Sequence, residues 1–388
     1  VTTTPRISVI IVNFNGRHWL DRCLRAALAA ADHAASADAA VPADGARAAA
    51  GADAPAPASA SSSVRGGVHA AARGAAAPAG GSTGQGDVEI ILVDNGSRDG
   101  SVEFVREQFP AVRLLALDEN LGFTGGNNRG VAEARGEWLA FLNNDTVADP
   151  QWLARLGHTL ASDPAIGLVT SRIVYMDDPM TIDSAGDGYL RAGGAFKRGH
   201  GQPATRYEAA GPVFGACGAA CMIRRTLFET LGGFDPAFFM AFEDVDLSYG
   251  VQLTGHDCRY VPDAIVHHAG SASLGRLSDG AVFYGQRNLE WVYVKNTPWP
   301  LLLRSFPSHI LYSAAAGLYF ARSGNFAAFL RAKWSAMKGL PTILAHRRSR
   351  QRLRTASSRR LWSRMEPRWM ALKLREKKFD LQAAGKSR

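Results

Sequence analysis

Three short clusters hold the residues best suited to chemistry. The first is Asn143-Asn-Asp145, which follows the apolar run Trp138-Leu-Ala-Phe-Leu142. A carboxylate flanked by amide oxygens suits a hard divalent cation such as Mg²⁺ or Mn²⁺, and such a cation would hold phosphates. The same triplet also suits the N-cap of a helix opening near Pro150. The second cluster is Phe238-Phe-Met-Ala-Phe-Glu-Asp-Val-Asp-Leu247, where Glu243, Asp244 and Asp246 follow an aromatic run. The helix macrodipole favours acids at a helix start. It accounts for one or two of them better than for three beside aromatics, and partly desolvated carboxylates are candidate general bases. The third is the pair His267-His268 after the strand-like Ala264-Ile-Val; a histidine there is a metal ligand or a structural residue.

Weaker signals surround these. Asn13-Phe-Asn15-Gly16 stands where a dinucleotide fold would carry G-x-G-x-x-G, which argues against NAD. Asp94, followed by Asn95-Gly-Ser97, is placed either to accept a hydrogen bond from a nucleoside or to cap its own turn. Gly122-Phe-Thr-Gly125-Gly126 lets backbone approach a ligand, with Asn127 and Asn128 expected to begin the following helix, whose N-terminus would favour a diphosphate.

The elements that must position these residues alternate regularly. Ile7–Val12, Val88–Val93, Val112–Leu117 and Trp138–Leu142 read as strands. Helices are expected over about 17–30, 101–109, 127–135 and 150–162. Strands alternating with helices imply βαβ units, a parallel sheet and ligands beyond the carboxyl ends of the strands. Further on, Gly167–Tyr175 and Cys221–Arg224 read as strands and Thr226–Leu231 and Asp244–Thr254 as helices. Residues 176–212 read as loops and short strands, and the chain beyond Arg287 as helical. Residues 31–86 are mostly Ala, Gly, Ser, Pro and Asp, a composition that cannot offset its ordering entropy. They are expected to form a disordered, dispensable insertion.

The chain has 388 residues and a net charge of +9. Residues 331–388 hold 18 Lys and Arg against 3 Asp and Glu, so the remainder is net acidic. The four cysteines form no Cys-x-x-Cys pair, which indicates neither a zinc site nor a disulfide framework. The first residues show no signal-peptide pattern and no apolar run reaches a membrane span, so a cytosolic chain with reduced thiols is expected.

Taken together, the segments resemble the family 2 glycosyltransferases of GT-A fold, most closely the bacterial rhamnosyltransferase-like members. The resemblance rests on Ser8–Asn15, Ile91–Ser97, Glu119–Asn128, Leu142–Thr146, Gly232–Asp235, Phe242–Leu247 and the stretch near His268, in that order. It covers residues 5–30 and 87–300, and more loosely the tail. It implies an α/β, Rossmann-like and mostly parallel sheet with flanking helices, followed by a basic helical extension over 301–388. It also implies an inverting, metal-dependent transfer of a sugar from a nucleoside diphosphate, with dTDP-rhamnose the best guess. The acceptor would be a cell-surface glycan or a polyprenyl-linked one. Other donors, such as UDP-galactofuranose, a UDP-hexose or a UDP-N-acetylhexosamine, and a non-catalytic nucleotide-sugar-binding module are the alternatives.

By the same resemblance, Asp244 is the catalytic base with Glu243 as its neighbour and Asp246 on the acceptor side. Asn143, Asp145 and His268 would hold the cation, with the register between His267 and His268 open. Asn13, Asn15, Asp94, Asn95, Gly125, Asn127, Asn128 and Asn144 would meet the nucleotide sugar. One departure is Gly250, where relatives often carry Arg. The basic, aromatic-rich tail is expected to lie on an anionic membrane at its cytoplasmic face, with no nucleic-acid partner, and a chain ending near residue 300 is expected to stay soluble; the alternative is that the tail helices cap the catalytic domain and leave a solvated basic face.

Overall fold

The computed structural model describes residues 5–39, 87–270 and 278–386. Its first half follows the expected alternation: β1 (Ile7–Asn13), α1 (Arg17–Ala39), β2 (Val88–Asp94), α2 (Ser101–Gln108), β3 (Arg113–Ala116), α3 (Gly122–Glu133), β4 (Trp138–Asn143), β5 (Thr146–Ala148) and α4 (Trp152–Ser162). Next come β6 (Ile166–Tyr175), β7 (Ile182–Ser184), β8 (Asp187–Tyr189), β9 (Ala195–Lys197), β10 (Gly211–Val213), β11 (Ala220–Arg224), α5 (Arg225–Thr230), α6 (Glu243–Leu253) and β12 (Asp257–His268). The chain closes with α7 (Asp279–Asn296), α8 (Trp299–Arg322), α9 (Phe326–Lys338), α10 (Leu340–Arg352), α11 (Ser358–Arg364) and α12 (Trp369–Lys386).

The main sheet runs β10-β12-β6-β11-β4-β1-β2-β3. Strands β3, β2, β1 and β4 are mutually parallel, which meets the α/β expectation. Strand β11 then enters antiparallel to both β4 and β6, and β12 pairs parallel with β6. Runs such as Val9-Ile-Ile11 and Leu139-Ala-Phe141 are apolar on both sides because helices cover both faces. One core packs β1, β2 and β4 against α1 and α4; a second fills the opposite face with Phe141, Phe228 and Phe234.

Three boundaries correct the sequence reading. Helix α1 runs through Ala39, nine residues past its expected end, with Ala34 buried under the core, so the insertion starts later than residue 31. The rest of the expected insertion lies outside the described residues. Helix α3 opens at Gly122 and not at Asn127, because the Gly-rich stretch is itself helical. Asp145 does not cap a helix: β5 follows it, and α4 begins only at Trp152.

The fourth correction concerns the tail. Tyr249, Leu253, Trp291, Leu301, Ala336, Ile343, Leu361 and Met365 share one core, so helices from the tail pack on α6 and α7 of the body. Polar ties reinforce this: the Lys295 ammonium lies 2.7 Å from Asp235 and 2.8 Å from Asp246, and Arg350 of α10 lies 3.1 Å from Asp246. A chain cut near residue 300 would expose this core, so the expected solubility of such a fragment does not follow.

Candidate active site

The carboxyl ends of β4, β1 and β2 lie side by side, and their last residues are polar. Asn144 donates to Asn13 at 2.7 Å, Asn13 donates to Asp94 at 2.9 Å, and Asp94 accepts from the Ser97 amide at 2.9 Å. The register explains the chain of bonds, since Asn13 stands opposite Asp94 and Val12 opposite Asn143. Asn15 adopts a positive φ of 50° and accepts from the Arg98 amide at 2.9 Å, which shapes the same edge.

Asp145 turns from β4 into β5, and β5 pairs with β12 so that Thr146 stands opposite His268. That register brings His268 Nε2 to 3.3 Å from Asp145, while its Nδ1 lies 2.8 Å from Asp183. His267 points to the other face of the strand and lies 3.7 Å from Asp149, so of the two histidines it is His268 that stands beside Asp145. Burial alone would lower the His268 imidazole, but the two carboxylates raise it to about 9. Asp183 is buried; burial would raise its carboxyl, yet Lys197, His200 and His268 hold it well below the ordinary range. Asn143 ends β4, where its carbonyl accepts from the Thr146 hydroxyl at 2.6 Å. One carboxylate and one imidazole, which would give up its Nε2 proton to a cation, backed by a second carboxylate, form a donor set that fits Mg²⁺ or Mn²⁺ and leaves positions for phosphate oxygens. Among the described residues no group of three His, Cys, Asp or Glu side chains forms a closed metal cage.

The second half of the site is the start of α6. Asp244 is half-buried, accepting from the Gly218 amide at 2.9 Å and the Val245 amide at 2.8 Å. Burial raises its carboxyl, and those amides and Lys197 oppose the rise. Glu243 and Asp187 are buried, each with one carboxylate oxygen lacking a protein partner. Burial raises both well above the ordinary range, and the Asp244 charge raises them further. These three carboxyls therefore hold protons more tightly than exposed ones.

The segment ahead of Asp244 is bent unusually. Phe239, Ala241 and Phe242 have φ of 62°, 66° and 70°, a region that residues with a Cβ rarely adopt. Asn288 of α7, fully buried, holds it: its amide nitrogen lies 3.0 Å from the Phe238 carbonyl, 2.8 Å from Met240 and 2.7 Å from Ala241. Arg287 adds bonds to Ala237 and Phe238 at 2.9 and 3.0 Å. The Phe239 carbonyl in turn accepts from Thr124 at the start of α3 at 3.2 Å. Gly122 sits beside it with φ 72°, where a Cβ would collide with that carbonyl.

Several expected ligand contacts are instead structural. Asn95 spends its side chain on Asn120, Leu121 and Gly122. Asn127 donates to the Phe123 carbonyl one turn back, and Asn128 clamps both backbone groups of Phe234. Gly125 leaves room for Leu121, the residue just ahead of α3, which a Cβ at 125 would meet. Asp246 is 1% exposed, and Lys295, Asn296 and Arg350 take its carboxylate, so it does not face an acceptor. Gly250 belongs to the same arrangement: a Cβ there would collide with Arg350, so an arginine from α10 occupies the room that the glycine leaves. Asp183, Asp187, Lys197 and Asn288 were missed by the sequence reading. The first three lie in a Gly-rich stretch without periodicity, and Asn288 lies within a helix that gives no sign of its partners.

Residues 81–232 match the family model described as glycosyl transferase family 2. An uncharacterized protein of Sinorhizobium fredii is 33% identical over 210 residues, covering 50% of this chain and 22% of the relative. The N-acetylglucosaminyl-diphospho-decaprenol L-rhamnosyltransferase of Mycobacterium tuberculosis is 29% identical over 216 residues, 49% of this chain and 69% of the relative. The O-antigen biosynthesis protein RfbC of Myxococcus xanthus is 33% identical over 199 residues, 46% of this chain and 15% of the relative. The chain thus spans under a quarter of the length of two of these relatives. The matched stretch spans β2 to α5 and includes the Asp94 and Asp145 edge, and over it the chain is similar to glycosyl transferase family 2.

Proposed function

We propose that this chain transfers a sugar with inversion from a nucleoside diphosphate to an acceptor hydroxyl, with Asp244 as the base. The observation that carries the reading is the placement of Asp244: half-buried, oriented by two backbone amides, at the head of a helix whose lead-in is held in strain. Burial raises its proton affinity, which suits a group that must take a proton from an attacking hydroxyl near neutral pH. The carboxyls of Glu243 and Asp187 lie close enough to Asp244 to feel its charge, and their unpartnered oxygens give hydroxyl groups places to bind.

Asp94, Asn13 and Asn144 form the edge on which the nucleoside would rest. Asp145 and His268 would hold a Mg²⁺ or Mn²⁺ ion, which when bound supplies charge neutralisation for the departing diphosphate. Asp183 fixes the imidazole from behind so that Nε2 faces Asp145. The mycobacterial relative supports a rhamnosyl donor and a polyprenyl-linked acceptor; another nucleotide sugar is the second reading of the donor. No described helix is long and apolar enough to cross a membrane. We read the enzyme as resting on the cytoplasmic face of an anionic membrane through the tail, where a lipid-linked acceptor would meet it.

Donor turnover by the full chain against a panel of nucleotide sugars tests the reading, with and without exhaustive chelation. Turnover of one donor that chelation abolishes and Mn²⁺ or Mg²⁺ restores is the expected result. Full turnover after chelation would remove the cation from the account, and no turnover of any donor would remove the activity.

A further inference from the structure

Helix α8 leaves one apolar stripe uncovered. Leu301, Ser305 and His309 face the body, whereas Trp299, Leu303, Phe306 and Ile310 are 60%, 71%, 51% and 53% exposed. Their spacing of four, three and four residues places them on one side of the helix, opposite the buried side. Four large side chains in a row at this exposure are not the scattered apolar residues of an ordinary surface.

At the N-terminal end of that stripe lies a cleft of about 560 Å³, lined by Trp299, Pro300, Leu344, Arg347, Arg348, Gln351 and Arg354. Three guanidiniums converge there. Among the described residues no carboxylate forms a salt bridge to any of the three. Arg347 is buried; it donates to the Val294 and Thr297 carbonyls and lies over the Trp299 ring at 4.5 Å. Its position is therefore fixed by the protein, while Arg348 and Arg354 at the rim are exposed. A cationic cleft without its own counter-ions, opening onto an apolar stripe, matches a molecule with an anionic head and a hydrocarbon body.

We infer that this cleft binds the phosphate of an anionic membrane lipid, with the α8 stripe seated among the acyl chains beside it. This deepens the membrane reading given above and rests on it, but not on the sugar-transfer reading. Guanidinium matches phosphate in geometry, and its weak hydration lowers the cost of taking it from water into the interface. Trp299 at the mouth is suited to the level of the headgroups, being both apolar and a hydrogen-bond donor. The occupant is a bilayer and not a free anion, because a free phosphate would leave Leu303, Phe306 and Ile310 in water.

The test is co-flotation of the full chain with phosphatidylcholine vesicles that contain or lack phosphatidylglycerol. The chain is expected to float with the anionic vesicles and to release in part as salt rises. Arg348→Ala with Arg354→Ala should weaken that binding by roughly 30-fold, from the worth of one cation each at an anionic surface. Leu303→Ser with Phe306→Ser should abolish the salt-resistant fraction. All four residues are exposed, so the melting temperature should hold and report that the variants fold. Binding that the arginine pair leaves unchanged would overturn the cleft while sparing the membrane reading. Failure to float at low salt would overturn both, as would self-association through the stripe or binding of inorganic phosphate in place of vesicles. None of these outcomes depends on donor turnover.

Discussion

Asn288 carries more of the site than its chemistry suggests. One amide nitrogen faces three carbonyls of the strained turn that delivers Asp244. Asn288→Asp keeps the shape and replaces donors by acceptors. Turnover should then fall by about 10²-fold, the cost of misplacing a reacting group by about 1 Å, with the donor KM little changed. Unchanged turnover would show that the turn holds itself. Asp183 acts at the same scale, because it fixes the tautomer and ring plane of His268. Asp183→Asn should weaken Mn²⁺ binding by about 10–100-fold in calorimetry, and equal affinity would remove it from the metal's support. These roles explain which residues were legible. Asp145 and Asp244 stood out because polar groups ended apolar runs. Asp246 escaped the sequence because two residues along a helix are about 200° apart, so it meets Lys295 and Arg350 where Asp244 meets the Gly218 amide. Only pairing with β5 could tell His268 from His267.

Among the elements, α7 and α10 decide whether the site has a foundation. Asp246 is enclosed by Lys295 and Arg350, and Asp235 shares the lysine. Asp246→Ala leaves buried cations undercompensated and should cost about 3 kcal/mol in urea unfolding. A loss well under 1 kcal/mol would mean that Asp235 and water suffice. Glu290 of α7 gives a pH signature. Burial alone would raise its carboxyl, but His309 of α8 and Lys333 of α9 hold it down to about 2, against an ordinary 4.5. A value lowered on folding contributes stability above the unfolded value, and that contribution is lost as pH falls through the folded one. Relative to Glu290→Gln, the native chain should be more stable by about 3 kcal/mol at neutral pH. The difference should disappear between about pH 4.5 and pH 2, as read from unfolding at a series of pH values. A difference constant across that range would contradict the assignment. Helix α7 was half legible, as an apolar and basic run. Its partners were not, because Asp246, Lys295 and Arg350 are far apart in sequence and meet only in the packed chain.

Over the whole molecule, the parallel half of the sheet was readable because each strand is a short, continuous apolar run bounded by polar turns. The antiparallel entry of β11 was not, since nothing local in Ala-Cys-Met-Ile-Arg encodes direction. The tail's basic and aromatic residues point to a membrane surface or to helices that cap the body, and its apolar residues divide between a core shared with α6 and α7 and an exposed face. A chain ending at residue 300 is therefore expected to aggregate or fail to melt cooperatively, and a cooperative transition like that of the full chain would contradict the shared core.

The most direct test of the account is sugar transfer by the full chain and by Asp244→Asn, measured side by side with nucleotide binding. The substitution keeps the hydrogen-bonding shape at the head of α6 and removes the base. Transfer should fall by at least about 10²-fold while nucleotide affinity stays the same. Transfer at the native rate in Asp244→Asn would contradict the account at its centre.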